Sequence, residues 1–310
     1  MNTSLPSQET ASAKPHVEDL VINWHVTEAC NYHCRYCYST WQRQAGQLDV
    51  IRDEAASFAL LQALWDFFRP DNMANPLHQT LRWSKVRLSI AGGEALLYPR
   101  QVLAIAHHAR QLGMRVSLIT NGSLLPQDDE LTALAQQLDI LGMSIDSFST
   151  EHNLAIGRAD SQQRSLTLQA VAERLAQVRA ANPDLKIKIN TVVNAVNVAE
   201  NLLPALVLLQ PDRWKVLRML PVLTPELAVS DAEFTDFVKR HASAGPYLSV
   251  EDNCDMLGSY VMIDPQGRFF QNGKSEPGSY FYSPAITPQN VQKAFARIPF
   301  SAERFASRYK

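Results

Sequence analysis

Residues 20–38 read LVINWHVTEACNYHCRYCY, and residues 86–94 read VRLSIAGGE. Each is an apolar run that ends in a loop built for chemistry. Leu20 to Val26 leads into Cys30, Cys34 and Cys37, and Val86 to Ala91 leads into Gly92-Gly93-Glu94. Working outward, runs with strand character recur at Arg115 to Thr120, Ile140 to Ile145, Lys186 to Val193 and Trp214 to Leu220. Stretches with apolar residues at helical spacing separate them: Arg52 to Phe68, Arg100 to Leu112, Asp128 to Leu138, Gln162 to Ala181 and Ala199 to Leu209. A further helix is expected at Asp231 to His241. A hairpin is expected from Tyr260 to Asp264 and Arg268 to Phe270, around Pro265-Gln266-Gly267. Strand then helix, repeated about six times, predicts an α/β fold with a parallel sheet. In such sheets ligands bind at the carboxyl ends of the strands. The cysteine loop, Gly92-Gly93-Glu94, Thr120-Asn121-Gly122 and Asp146-Ser147 would then share one mouth.

Three thiols at the spacing C-x3-C-x2-C can ligate three irons of a four-iron cluster and leave the fourth iron open. They can equally form part of a zinc site, which takes four ligands, with Cys254, His25 or His33 as the fourth. A disulfide is the weaker alternative in a chain with four cysteines and no export signal.

Parallel strands are normally apolar on both faces, and these are not. Residues two apart share a face. Asn23 and His25, Arg87 and Ser89, Lys188 and Asn190, and Arg213 and Lys215 therefore give four strands one polar, cationic face. The opposite face carries Ile22, Trp24, Val26, Leu88, Ile90, Ile187, Ile189, Trp214 and Val216. For any one of these polar residues, pairing with a buried carboxylate or solvation at a strand end is sufficient explanation. Four strands together point to an interior filled by an anionic, phosphorylated ligand. The chain of 310 residues has a formal net charge of −2, so these cations are a local device. That balance argues against direct nucleic-acid binding. No apolar run reaches the ~20 residues of a membrane span, and the polar start, MNTSLPSQETASAKPH, reads as a disordered tail.

In order along the chain stand NWHVTEACNYHCRYCY, RLSIAGGEALLYP, TNGSLL, MSIDSF, HNLAIGR, KINTVVNAVN, RWKV and SYVMIDPQGRFFQN. Together, over residues 20 to 273, this set resembles the viperin family of radical S-adenosylmethionine enzymes, its prokaryotic branch most closely. The resemblance implies a partial (β/α)6 TIM-like radical SAM barrel with a C-terminal extension. Residues 1–18 would be a tail, 19–220 the barrel, and 221–310 an extension capping the nucleotide site. Ala95 stands where the superfamily has proline, and Arg87 and Ser89 stand where animal members have lysine and asparagine. The membrane-binding helix of the animal proteins has no counterpart.

Residue by residue, the resemblance implies that Cys30, Cys34 and Cys37 hold a [4Fe–4S] cluster. Tyr36 would lie near the adenine of S-adenosylmethionine. Gly92, Gly93 and Glu94 would hold its amino group, Ser144 and Arg158 its ribose and carboxylate, and Thr120 and Asn121 would line the same pocket. Asn23, His25, Arg87, Ser89, Lys188, Asn190, Arg213 and Lys215 would surround a nucleoside triphosphate (CTP, UTP or GTP), with Tyr260 close to the reacting ribose. The implied reaction abstracts hydrogen from C4′ and expels the 3′-hydroxyl as water. It gives a 3′-deoxy-3′,4′-didehydro nucleotide, a chain terminator used against viruses, here phage. A flavodoxin, ferredoxin or reductase would supply electrons to a cytoplasmic monomer. The rival readings are another radical enzyme acting on a nucleotide or small phosphorylated metabolite, and a zinc-stabilised binding module.

Overall fold

The computed structural model describes residues 14–37, 48–221, 224–273 and 279–309, without the side chains of Cys254 and Met256. The expectations for Cys254 and for residues 1–13 lie outside these described residues. Residues 16–18, expected in the tail, instead begin β1 (His16–His25), where Val17 is buried.

Six strands pair in parallel in chain order: β1, β2 (Arg82–Ala91), β3 (Arg115–Thr120), β4 (Ile140–Ser144), β5 (Lys186–Val193) and β6 (Arg213–Arg218). The helices between them are α1 (Glu54–Phe68), α2 (Pro99–Gln111), α3 (Asp128–Gln136), α4 (Thr150–Ile156), α5 (Leu168–Ala181) and α6 (Leu203–Leu209). The fold is therefore α/β with a mostly parallel sheet, the partial barrel expected. The face carrying Ile22, Trp24, Leu88, Ile90, Ile187, Ile189, Trp214 and Val216 is fully buried. Burying each such side chain contributes about 1.5–3 kcal/mol.

The sheet does not stop at six strands. After α7 (Asp231–Arg240), the short β7 (Leu248–Glu251) pairs in parallel with β6. On the other side β8 (Val261–Ile263) lies parallel to β1. Then β9 (Arg268–Asn272) and β10 (Tyr280–Ala285) run antiparallel, followed by α8 (Val291–Phe295) and α9 (Ala302–Arg308). Residues 221–310 thus extend both edges of one ten-stranded sheet. The edges meet through side chains: Tyr260, just before β8, accepts a hydrogen bond from Lys215 of β6 at 3.2 Å and donates one to Glu251 of β7 at 3.1 Å.

Two helices start later than their patterns suggest. The carboxylate of Asp160 accepts from the backbone of Gln162 and Arg164 and folds that segment into a turn. Thr167 then caps the first turn of α5. In α6, Pro204 sits in the first turn, where its missing N–H costs nothing.

Candidate active site

The cysteine loop hangs from the end of β1 and is clamped on two sides. Gly93 N donates to Thr27 O at 2.7 Å, and Glu94 N to Ala29 O at 2.8 Å. A Cβ on Gly93 would lie 2.2 Å from Ala29 O, so only glycine lets the loops approach this closely. On the other side, His33 N and Arg35 N donate to Gly157 O and Ile156 O at the end of α4. Gly157 has φ +86°, and a Cβ there would lie 2.3 Å from His33 O. The sequence reading named Arg158 and passed over Gly157. Its signal was a glycine just past a helix end. Thr27 Oγ1 donates to the buried Asp49 at 2.8 Å and fixes the start of the loop.

Within this clamp Cys30, Cys34 and Cys37 are free thiols. Burial pushes Cys30 up and Cys34 up to about 12, and the nearby Arg158 pulls Cys34 the other way. Asn121 Nδ2 donates to Cys30 Sγ and Arg158 Nη1 to Cys34 Sγ, both at 3.8 Å. Donors aimed at sulfur stabilise thiolate over thiol. Three thiols with cationic and amide donors behind them fit the thiolate ligation of an iron–sulfur cluster. Among the described residues, no three His, Cys, Asp or Glu side chains stand close enough to hold a single metal ion.

The neighbouring loops form one hydrogen-bonded surface. Glu94 accepts from Leu96 N at 3.0 Å, Thr120 Oγ1 at 2.7 Å and Asn121 N at 2.7 Å. Burial nevertheless outweighs these donors and raises its carboxyl. Arg158 donates to the Ser144 carbonyl and to Tyr36 Oη at 3.3 Å, and pairs with the buried Asp146 at 3.5 Å. Tyr36 Oη donates to Asp146 Oδ2, and burial and that carboxylate push the phenol well above its usual range. Tyr36, Gly92, Gly93, Glu94, Thr120, Asn121, Ser144 and Arg158 therefore do gather around the cysteine loop. Asp146, which holds both Tyr36 and Arg158, belongs with them.

The cationic face lies inside the barrel. Ser144, Asn190 and Lys215 share one register row, and Gly142, Lys188 and Arg213 the row before it. Asn23 and Ser89 are paired on β1 and β2. Burial, then the charges of Lys215 and Arg213, push Lys188 well below its usual range. Among the described residues it has no ion-pair partner. Burial lowers Lys215 to about 8, although Glu251 opposes the shift. Desolvation lowers His25 to about 4. Arg87 pairs with Asp19 at 3.4 Å, as a single buried cation would. Arg213 is exposed at the strand end and donates to Ser249 at 3.2 Å. Arg308, from α9, was not foreseen. It reaches the same interior, 4% exposed, and pairs with Glu251.

A barrel of this topology with three thiols on the loop after its first strand defines a radical enzyme class, and residues 24–176 match the family model of the Radical SAM superfamily. The fold is shared with SuiB of Streptococcus suis, solved bound to S-adenosylmethionine. That match has a TM-score of 0.53 and 12% identity over 82% of this chain and 60% of that one. Coproporphyrinogen III oxidase of Escherichia coli matches with a TM-score of 0.50 and 13% identity, over 91% and 71%. The S-adenosylmethionine-dependent nucleotide dehydratase of Pseudoalteromonas ulvae is 41% identical over 294 residues, 95% of this chain and 94% of that protein. S-adenosylmethionine-dependent nucleotide dehydratase RSAD2 of Danio rerio is 28% identical, over 97% and 80%. The chain belongs to the S-adenosylmethionine-dependent nucleotide dehydratase family, whose cofactors are a [4Fe–4S] cluster and S-adenosylmethionine.

Proposed function

We propose that this protein dehydrates a ribonucleoside triphosphate (CTP, UTP or GTP) to its 3′-deoxy-3′,4′-didehydro derivative, as an anti-phage chain terminator. The observation that carries the substrate is the cluster of cations on one face of the sheet, Arg87, Lys188 and Lys215 with Arg213 at its exposed end. They suit a triphosphate, and the names of the relatives support a nucleotide.

Cys30, Cys34 and Cys37 would hold the cluster, and the loops bearing Gly92, Gly93, Glu94, Thr120, Asn121, Ser144, Tyr36 and Arg158 would bind S-adenosylmethionine. Bound there, these groups supply a reductive cleavage that yields methionine and a carbon radical able to take hydrogen from a C–H bond. The chain's own task is positioning. Lys188, Lys215, Arg213 and Arg87 fix the triphosphate, with Asn23, His25, Ser89 and Asn190 around the rest of the nucleotide. Held in this way, the ribose would present its C4′–H for abstraction. Tyr260 touches the cation rows through Lys215 and would protonate the departing 3′-hydroxyl. Residues 221–310 would cap this site. Among the described residues no helix is long and apolar enough to cross a membrane. We place the enzyme in the cytoplasm as a monomer fed by flavodoxin, ferredoxin or their reductase.

The test is anaerobic reconstitution with iron and sulfide, then incubation with dithionite, S-adenosylmethionine and each ribonucleoside triphosphate in turn. One nucleotide lighter by one water, with 5′-deoxyadenosine in step, supports the reading. 5′-Deoxyadenosine that forms without any nucleotide being consumed overturns the substrate.

A further inference from the structure

Glu251 is the acidic side chain at the centre of a cationic interior. Its carboxylate pairs with Lys215 Nζ and with Arg308 Nη2, and accepts from Tyr260 Oη at 3.1 Å. The phenol oxygen of Tyr260 accepts in turn from Lys215 Nζ at 3.2 Å and from Arg308 Nη2. The Arg308 guanidinium lies 3.8 Å from the centre of the Tyr260 ring, and Arg308 Nη1 donates to Asp255 O at 2.6 Å and Ser259 Oγ at 3.0 Å. Arg308 therefore ties the last helix to the strand end that carries Tyr260. Glu251 is 12% exposed and Lys215 11%. Two cationic donors at the phenol oxygen leave its own proton to be directed at an acceptor, and Glu251 is that acceptor.

We propose that Glu251 and Arg308 are positioning residues for Tyr260. Glu251 orients its O–H, and Arg308 stabilises the charge left when that proton departs. The proposal rests on the dehydratase reading above. The step balances as follows. After hydrogen is taken from C4′, the Tyr260 O–H bond and the C3′–O bond break. The proton joins the leaving hydroxyl as water, and one electron from an external one-electron reductant completes the C3′–C4′ double bond. Lys215 and Arg308 hold the resulting phenolate through hydrogen bonds to developing negative charge, and water reprotonates it.

Glu251 also partly neutralises Lys215. Exchanging its carboxylate for an amide of the same shape should therefore strengthen triphosphate binding while it weakens proton delivery. A merely structural residue would weaken both. The experiment compares wild type, Glu251→Gln, Glu251→Asp and Arg308→Lys. It uses nucleotide calorimetry on the folded protein and, in the reconstituted enzyme, the ratio of dehydrated nucleotide to 5′-deoxyadenosine. Glu251→Gln should bind the nucleotide roughly threefold to tenfold more tightly, yet give a ratio at least about tenfold below wild type. Glu251→Asp should recover part of that ratio. Arg308→Lys keeps the charge but loses the fork, and should lower the ratio by more than it lowers nucleotide affinity. It decides the matter even if Glu251→Gln does not fold. Ratios equal to wild type in the folded variants, or binding and product falling together, would overturn the proposal. A wild type that makes 5′-deoxyadenosine but no dehydrated nucleotide would instead overturn the reading beneath it.

Discussion

Gly93→Ala tests whether the clamp on the cysteine loop sets the radical site. The new Cβ would sit 2.2 Å from Ala29 O, 2.5 Å from Glu28 O and 2.7 Å from Ala29 C, whereas ordinary contact starts at 3.4 Å. All three atoms are backbone, so no side chain can swing aside. The two loops must separate by about 1 Å, the gap between those distances. That separation breaks the bonds from Gly93 N to Thr27 O and from Glu94 N to Ala29 O. Each is worth about 1 kcal/mol, and the overpacking costs a further ~1–3 kcal/mol. Cys30 moves with Ala29, and a displacement of about 1 Å at a reacting site costs roughly 10²-fold in rate. The expected result is a folded protein that binds less iron per chain and forms 5′-deoxyadenosine about a hundredfold more slowly. Iron analysis and the anaerobic assay read both. Gly245→Ala is the control. Its Cβ meets nothing within 4 Å, and its backbone, at φ +63° and ψ −138°, costs only local strain, roughly 1–3 kcal/mol. If Gly93→Ala keeps wild-type iron content and rate, the clamp does not position the thiols and the reasoning fails.

Triphosphate affinity should fall as pH rises through about 8, where Lys215 loses its proton in the free protein. The slope should approach one decade per pH unit, and calorimetry in buffers of different ionisation heat should show proton uptake on binding. A flat profile from pH 7 to 9 would refute this. His25 is held near 4, below its ordinary 6.5, by desolvation. The unfolded chain then binds the extra proton first, so stability is full above about pH 6.5 and falls toward pH 4 by up to about 1.4 kcal/mol per unit. Denaturant melts of His25→Gln should lose that component of the pH dependence. Arg158→Gln strands the buried Asp146 without its cation and should cost about 3–5 kcal/mol. Iron retention should fall with it, because Arg158 also donates to Cys34.

The parallel sheet was readable because each strand is long enough to show its period. The pattern of β5, apolar at Ile187 and Ile189 and polar at Lys188 and Asn190, separates a core face from a polar, cationic one. The thiols and the glycine–glycine–glutamate loop were readable because their spacing carries their chemistry. Glu251 and Arg308 were not. Glu251 ends a four-residue strand and Arg308 a seven-residue helix, both too short to show a period, and they stand 57 positions apart in the chain. Their importance exists only where the two sheet edges close. Tyr260 was named by resemblance, but no local pattern distinguishes it from a packed strand aromatic. Its meaning comes from Lys215, Glu251 and Arg308, which the sequence scatters over three elements.

That closure also explains how a nearly neutral chain tolerates a cationic interior. Arg87, Arg213, Lys188, Lys215 and Arg308 face it. Asp19 takes Arg87, Ser249 and solvent take Arg213, and Glu251 takes Lys215 and Arg308. Lys188, beside the Cβ-free Gly142, is left with cationic neighbours, and the fold answers by making its charged form unfavourable. Burial and those neighbours hold Lys188 below its usual range, and an arriving anion opposes both effects by favouring the charged form. A fully neutralised interior would be more stable and would bind a triphosphate poorly. Permanent arginines in every position would bind it tightly and destabilise the empty fold. Two lysines, the largely buried Arg87 and Arg308, an exposed Arg213 and a glutamate shared by Lys215 and Arg308 lie between these extremes.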